Sequence, residues 1–207
     1  SHSFLKQILL LCILITACIT NGFCHKRDSL SVKQLEFVAN KGQWEQQVLY
    51  KAKLNGGALF AEADRLTLVF LDPAQLAQFQ EAKLNPALTA NGHITAAAYQ
   101  MIFKECQSNT EIIGSKRQQY HHNYFLGHQK DKWASQVPLY QELSYLQLYD
   151  GINLILYQHE QQLKYEFHLS AGANPKDIQI EYAGVNSLSI SNGNLIVKTD
   201  IGQTVEL

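Results

Sequence analysis

The sequence predicts an all-β fold, an antiparallel β-sandwich-like domain with one short helix, preceded by an N-terminal signal segment. Two observations predict the β fold. Apolar residues recur at every second position in many short segments, and clusters of turn residues separate these segments. The clearest case is Leu163–Leu169, where Leu163, Tyr165, Phe167 and Leu169 are expected to face inward and the charged residues between them outward.

The first half of the chain has the pattern of a β-meander, because alternate residues of successive segments are apolar. Asn55-Gly56-Gly57 lies between two of these segments and is a hairpin signal, since Asn and Gly tolerate positive φ angles. The expected strands cover residues 35–38, 48–54, 58–62, 66–70 and 93–103.

Asp72-Pro73 interrupts this pattern and predicts the start of a helix. Asp is a favourable N-cap and Pro suits the first helical position, so a helix is expected over Pro73–Leu84, with Leu76 and Phe79 facing inward. The small and polar residues 85–92 then predict a loop, at which two subdomains could part.

The second half of the chain predicts a further series of strands. Asn192-Gly193 favours a type I′ hairpin, which would place Ile190 opposite Leu195 and Leu188 opposite Val197 as apolar cross-strand pairs. The expected strands cover residues 111–113, 120–126, 137–148, 152–157, 163–169, 178–182, 188–191 and 194–199.

An export signal is expected within residues 1–24. Lys6 supplies a positive charge, and the twelve residues Ile8–Ile19 form an apolar run broken only by Thr16. A membrane-spanning helix needs about 20 apolar residues, so this run is short for a span. The expected location is therefore extracellular or at the outer cell surface.

The cleavage site of this leader has two open alternatives. Ordinary cleavage would fall near Gly22 or Cys24, whereas Ile15-Thr16-Ala17-Cys18 resembles a lipobox, in which case Cys18 would be the lipidated N-terminus. Cys106 is the one cysteine in the body of the chain. We expect it to be a buried apolar residue, although pairing with Cys24 is open if the cut precedes Cys24.

Charge and composition exclude some classes of function. Removing the leader removes Lys6 and no acidic residue, which leaves 16 basic and 18 acidic side chains. A formal charge of −2 argues against a nucleic-acid surface or a polybasic membrane patch. Nucleic acid is therefore not an expected partner.

Several short motifs occur in a fixed order along the chain. They are Phe37-Val38-x-Asn40-Lys41-Gly42-Gln43-Trp44, Asn123-Tyr124-Phe125-Leu126-Gly127 with Trp133 downstream, Leu148-Tyr149-Asp150-Gly151-Ile152-Asn153-Leu154, Leu163-Lys164-Tyr165-Glu166-Phe167, Ala171-Gly172-Ala173-Asn174-Pro175, and Gly193-Asn194-Leu195 with Thr199. Together they resemble an uncharacterised N-terminal β-rich domain of large secreted Bacteroidota proteins. The resemblance covers residues 35–207.

That resemblance implies a secreted or surface-attached multidomain protein. In the group, propeller-type repeats, PKD or Ig-like modules and a C-terminal sorting or gliding-motility-associated domain follow this domain, so the resemblance implies that such C-terminal domains are missing from this fragment. It implies no known activity. Asn153 and Asn174 stand where the group would have Asp, which weakens any role of these positions in binding a metal ion.

Catalytic and metal-binding chemistry is not indicated. His121, His122 and His128 lie close in sequence, but neighbouring residues of a strand point to opposite faces, so His121 and His122 do not share a metal ion easily. Motifs of nucleophilic hydrolases, phosphate-binding loops, EF-hands and zinc sites are absent from the sequence. We therefore expect no enzyme, no catalytic residue, no metal and no cofactor.

Four aromatic residues are weak candidates for a ligand site. Trp44, Tyr120, Tyr124 and Trp133 lie near strand ends or loops, where their rings could stack on sugars or simply pack. The expected function is a non-catalytic structural or adhesion module, and the alternative is a carbohydrate-binding module of a surface protein. The expected partners are the downstream domains of the same chain, surface proteins or glycans.

Overall fold

A computed structural model describes residues 34–85, 93–125 and 127–206, which belong to one compact unit, Gln34–Leu207. The expected signal segment, the lipidation alternative at Cys18, the partner Cys24 and most of the 85–92 loop lie outside the described residues. Within the described ranges, no helix is long and apolar enough to cross a membrane.

The described residues form antiparallel β structure with one α-helix, which confirms the expected fold class. The helix α1 spans Pro73–Leu84, and short 3-10 turns lie at Lys130–Lys132 and Pro175–Asp177. The strands are β1 (Phe37–Ala39), β2 (Tyr50–Leu54), β3 (Gly57–Ala61), β4 (Arg65–Leu71), β5 (Ala96–Phe103), β6 (Glu111–Tyr124), β7 (Ala134–Tyr149), β8 (Ile152–His159), β9 (Gln162–Leu169), β10 (Ile180–Ala183), β11 (Ser187–Ser191), β12 (Asn194–Thr199) and β13 (Gly202–Glu206).

Ten strands form one sheet that divides at the long strand β7, and β11–β12–β13 form a small second sheet. β6 pairs along one edge of β7. The other edge pairs first with β1 and then with β8: Tyr140 is opposite both Phe37 and Arg117, and Glu142 is opposite Tyr157. One arm of the sheet therefore runs β1–β2–β3–β4–β5–β10, and the other runs β8–β9.

The arm that runs from β1 to β10 curls back over β7, which gives the sandwich-like layering. The rings of Phe103 on β5 and Tyr145 on β7 lie 5.7 Å apart, although four strands separate β5 from β7 in the sheet order. The hydroxyl of Tyr145 also donates a hydrogen bond to the carbonyl of Glu62, 2.9 Å away. The sheet is therefore curled so that its ends enclose a common core.

The core follows from the period-2 pattern of the strands. Cross-strand pairing aligns one row of inward side chains over five neighbouring strands, and each is at most 6% exposed. This row consists of Phe37, Ala52, Leu59, Leu68 and Tyr99.

The helix α1 begins and ends as the sequence predicts. Asp72 Oδ1 accepts hydrogen bonds from the backbone N–H groups of Ala74 and Gln75, at 2.9 and 3.0 Å, so it caps the N-terminus. Leu76 and Phe79 are only half-buried, because the helix lies on the surface and has no fully buried residue.

The strands β6 and β9 differ from their sequence predictions in ways that have a physical reason. Residues 111–124 form one continuous strand instead of two, because the polar middle of β6 pairs with β7 although it lacks an alternating pattern. Leu169 is 41% exposed instead of inward, because it ends an edge strand and has a neighbour on one side only. Leu163, Tyr165 and Phe167 pack against the core as expected.

The C-terminal hairpin confirms both its expected turn and its expected register. Asn192 and Gly193 have φ angles of 51° and 85°, as a type I′ turn requires. The ladder places Ile190 opposite Leu195. It also places Leu188 opposite Val197, which is fully buried.

The turn between β8 and β9 has the same shape without glycine. Glu160 and Gln161 have φ angles of 46° and 66°, a conformation that costs a non-glycine residue about 1 kcal/mol. We expect Gln161→Gly to raise the free energy of unfolding by about 1 kcal/mol, measured by urea denaturation. The reciprocal change Gly193→Gln should lower it, and a destabilising Gln161→Gly would contradict the turn geometry.

Candidate functional site

In the arm that runs from β1 to β10, the side that faces away from the core is called the outer face. Its central row runs across the strands and takes one residue from each of β1–β5, and each of these residues is half-buried. The row consists of Val38, Lys51, Phe60, Thr67 and Gln100. It therefore places an aromatic ring and a lysine beside neutral hydrogen-bonding groups.

A tight turn after β1 places Trp44 at this face. Asn40 organises the turn: its Nδ2 donates to the carbonyl of Val48 at 2.6 Å, and its Oδ1 accepts from the N–H of Gly42 at 2.9 Å. Gly42 has a φ of +104°, which favours glycine. Gln43 is buried and donates to the carbonyl of Ala39 at 2.7 Å, so the backbone leading to Trp44 is fixed.

Aromatic rings of β6 continue from Trp44. The ring centroids of Trp44 and Tyr124 lie 5.5 Å apart at an interplanar angle of 71°, and those of Tyr124 and His122 lie 6.2 Å apart. Tyr120 follows, 6.4 Å from His122, and its hydroxyl donates to the carboxylate of Glu36. The rings form a stepped row, with Trp44 half-buried and Tyr120 51% exposed.

Lys51 lies between two aromatic rings of the outer face. Its Nζ is 5.5 Å from the ring centroid of Trp44 and 5.0 Å from that of Phe60. Within the described ranges, no carboxylate lies within 4.0 Å of this ammonium group, whereas Lys132 contacts Glu45 at 2.7 Å. The two ring faces are thus the contacts that the described side chains make with the Lys51 ammonium group, and cation-π attraction stabilises its charge.

A polar ladder continues from Phe60 across β4 and β5. Gln100 Nε2 donates to Thr67 Oγ1, and Thr67 Oγ1 donates to Glu62 Oε1, each at 3.2 Å. Arg65 binds Asp64 through two nitrogens at 2.8 and 2.9 Å, and this pairing lowers the pKa of the Asp64 carboxyl. Hydrogen-bonding side chains therefore lie on β4 and β5, the next two strands from Phe60.

Trp133 belongs to a separate group. It packs edge-on against Phe125, with centroids 5.8 Å apart, and Lys130 lies 5.9 Å from its ring. Trp133 is 39% exposed. Phe125 directly follows Tyr124, so the two rings point to opposite sides of the chain. Of the four aromatic candidates, the structure brings Trp44 and Tyr124 into contact and continues the row to Tyr120, but it does not bring Trp133 to them.

Sequence reasoning missed Lys51 and Phe60. The Asn55-Gly56 turn could have revealed them, because a two-residue hairpin loop fixes the register and pairs Lys51 with Phe60. That Trp44 would reach the same lysine could not be read from the sequence, because a turn and not a strand carries it.

The histidine cluster does not assemble. His122 lies between two tyrosine rings, while His121 and His128 are exposed. Across the described segments, no group of three His, Cys, Asp or Glu side chains could hold a metal ion. Cys106 is half-buried, and burial followed by the charge of Asp64 raises the pKa of its thiol.

Asn153 and Asn174 have local structural roles. Asn153 Oδ1 accepts from the N–H of Gln147 at 2.7 Å, at a β-bulge where Gln147 has a φ of 52°. Asn174 Oδ1 accepts from the N–H of Lys176 at 3.2 Å, and its Nδ2 donates to Asp177 at 2.9 Å. A carboxylate could supply both acceptors, but only an amide can donate to Asp177.

Glu166 on β9 is surrounded by donors. Tyr157 donates to it at 2.7 Å, Lys164 lies at 3.2 Å and His168 at 3.3 Å, and these contacts lower its pKa to about 2. We expect Tyr157→Phe to raise this pKa toward about 4.3, as followed by NMR titration, while the remote change Lys176→Met leaves it unchanged. An unchanged pKa in Tyr157→Phe would contradict the contact.

The sign of the linkage follows from the depressed pKa of Glu166. Its contribution to stability is present above the unfolded-state pKa of about 4.3 and is lost as the pH falls toward 2. The group lies on an open strand surface, so its low pKa reflects neighbouring donors and not a cleft.

A second carboxylate joins three parts of the fold. Glu206 on β13 accepts hydrogen bonds from the hydroxyls of Tyr165 on β9 and Tyr182 on β10, both at 2.7 Å. Burial and the Glu206 carboxylate raise the pKa of both tyrosines well above the ordinary range. Tyr99 is stacked on Tyr182 at 6.2 Å, and its pKa is raised by the same two causes. Glu206 thus links the small sheet by hydrogen bonds to the last strand of each arm.

Comparison with known proteins identifies a family. A family model described as a domain of unknown function, DUF7948, matches residues 37–207. No curated protein and no solved structure matches the chain.

Proposed function

We propose that this chain, which belongs to the DUF7948 family of domains of unknown function, is a non-catalytic structural or adhesion module of a secreted or cell-surface multidomain protein. The observation that carries the proposal is the pair of hydrogen bonds that the Glu206 carboxylate accepts. One carboxylate joins the last strand of the small sheet to Tyr165 and Tyr182, at the two ends of the curled sheet. A β domain whose two sheets are joined by hydrogen bonds in this way suits a module that keeps its shape next to other domains.

The use of the charged residues supports a role without catalysis. Among the described residues, Glu166, Asp64 and Glu142 have lowered pKa values because lysine, arginine, tyrosine or serine neighbours hold them as carboxylates. Catalytic acids and bases need pKa values near the working pH, and these contacts shift the pKa values of the three carboxylates away from it.

Location and partners form part of the same proposal. The apolar run after Lys6 and the resemblance to N-terminal domains of large secreted Bacteroidota proteins support export to the cell surface. The partners would be downstream domains of the same chain, such as propeller-type repeats, PKD or Ig-like modules and a gliding-motility-associated domain, together with surface proteins.

The test is removal of residues 37–207 from the full natural protein in the cells that make it. We expect the shortened protein to reach the surface at a lower level or to support weaker adhesion of the cells, measured by surface labelling and an adhesion assay. The matched control is the full protein carrying Lys176→Met, an exposed change that should alter neither measurement. Unchanged display and adhesion after the deletion would contradict the proposal.

Carbohydrate binding is the second candidate, and the outer face favours it. Sugar rings combine an apolar face with a rim of hydroxyls. On the outer face, the ring of Phe60 lies next to Thr67 and then Gln100 on one side, and Lys51 connects it to the ring of Trp44 on the other. Loss of glycan binding in Trp44→Ala with the fold intact would support this candidate.

A further inference from the structure

We infer that the outer face binds an acidic polysaccharide, one whose sugar rings carry carboxylates, with Lys51 as the anion-binding residue. The inference rests on the carbohydrate-binding candidate and names its ligand class. Lys51 Nζ lies over two ring faces and, in the described part of the chain, has no carboxylate within 4.0 Å.

A second lysine without a carboxylate partner lies near Lys51. Lys53 lies two residues along β2, hence on the same face, and is exposed. It too has no carboxylate within 4.0 Å among the residues described, in contrast to Lys132, which contacts Glu45 near the same turn. The acidic side chains of this face, Glu36, Glu62 and Asp64, accept hydrogen bonds from Tyr120, Thr67 and Arg65. Arg65 is paired with Asp64, so Lys51 and Lys53 are the basic groups of the described outer face that remain available to an anionic ligand.

The rings of the row favour a sugar over a simple anion. Trp44 and Phe60 flank the ammonium group, and Tyr124 continues the aromatic surface at 5.5 Å from Trp44. A uronic acid can place its carboxylate against Lys51 while the apolar face of its ring lies on an aromatic side chain.

The polar ladder provides for the hydroxyl groups of the same ligand. Thr67 and Gln100 lie in one cross-strand row with Lys51, and neighbouring strands are about 4.8 Å apart, so the row from β2 to β5 is about 14 Å long. That length suits a chain of sugar rings. The ladder holds both donors and acceptors, which a polyhydroxylated ligand requires.

The test is a binding titration of the full chain with two matched polymers, polygalacturonate and its fully methyl-esterified form, followed by calorimetry, with alginate as a second acidic polymer. We expect binding to the acidic polymers and a loss of about tenfold or more on esterification, because each charge-assisted contact is removed. Raising the salt concentration to about 0.5 M should weaken the binding, since screening shortens the Debye length.

Single substitutions test whether binding depends on the Lys51 side chain itself. Lys51→Met should weaken binding to polygalacturonate about tenfold. Lys83→Met is the matched control, because Lys83 also lies over a ring, 4.9 Å from Phe79, but on the helix. Trp44→Phe, which keeps an aromatic ring in the turn, should weaken binding less than Trp44→Ala.

Three results would overturn the inference. Equal affinity for the esterified and acidic polymers would mean a neutral glycan site. Unchanged affinity in Lys51→Met would place the anion elsewhere. If neither polygalacturonate nor alginate binds the folded chain, the ligand class is wrong. This conclusion would also hold if a surface protein were found to bind in a Lys51-dependent way. The structural proposal would survive each of these results, because the deletion experiment tests it separately.

Discussion

Replacing Glu206 with leucine is expected to lower the free energy of unfolding by about 2–4 kcal/mol. The carboxylate accepts hydrogen bonds from Tyr165 and Tyr182, at 2.7 Å each. Leucine removes the acceptor and leaves two partly buried hydroxyls unpaired at the contact between the small sheet and both arms. Urea denaturation measures the loss, and hydrogen exchange should show that amides of β12 become the first to open.

The control for this change is Glu206→Gln, which keeps the shape and one acceptor oxygen and should cost less. A second readout is alkaline stability. The raised pKa values of Tyr165 and Tyr182 mean that stability is lost as the pH rises above the unfolded-state value of about 10, and Glu206→Leu should weaken that dependence. If Glu206→Leu has the same free energy of unfolding as the wild type, then Glu206 does not hold the small sheet against the two arms.

Replacing Gly57 with alanine is expected to destabilise the fold by about 2–3 kcal/mol. A Cβ atom at this position would lie 2.0 Å from the carbonyl oxygen of Val69 on the paired strand β4, so the backbones of β3 and β4 would have to move apart. Thermal or urea unfolding measures the effect.

Gly56→Ala is the matched control in the same turn. Gly56 has a φ of +77° and no atom within 4 Å of an added Cβ, so its replacement costs only the conformational strain of about 1 kcal/mol. Equal losses for the two variants would contradict the close approach of Gly57 to Val69.

Local patterns predicted much of the fold. Alternation identified the inward faces of β4 and β5. Asp72-Pro73 gave the start of α1, and the small and polar residues from 85 onward gave its end. Asn192-Gly193 fixed the register of the C-terminal hairpin, because a two-residue type I′ loop leaves no freedom to slip. These features depend on residues close together in sequence.

Features that depend on distant residues were not predictable. The middle of β6 has no period-2 pattern, and only pairing with β7 makes it a strand. Glu206 meets Tyr165 across 41 residues, and no local signal distinguishes it from other acidic residues in strands. Trp44 was a candidate from its residue type, yet its contact with Lys51 depends on how the Asn40 turn folds back over β2.

The central claim, a structural or adhesion module exposed at the cell surface, is tested most directly by labelling intact cells that make the natural protein. An antibody raised against residues 37–207 should label these cells without permeabilisation, and protease added outside should remove the signal. Labelling that appears only after the cells are permeabilised would contradict the account.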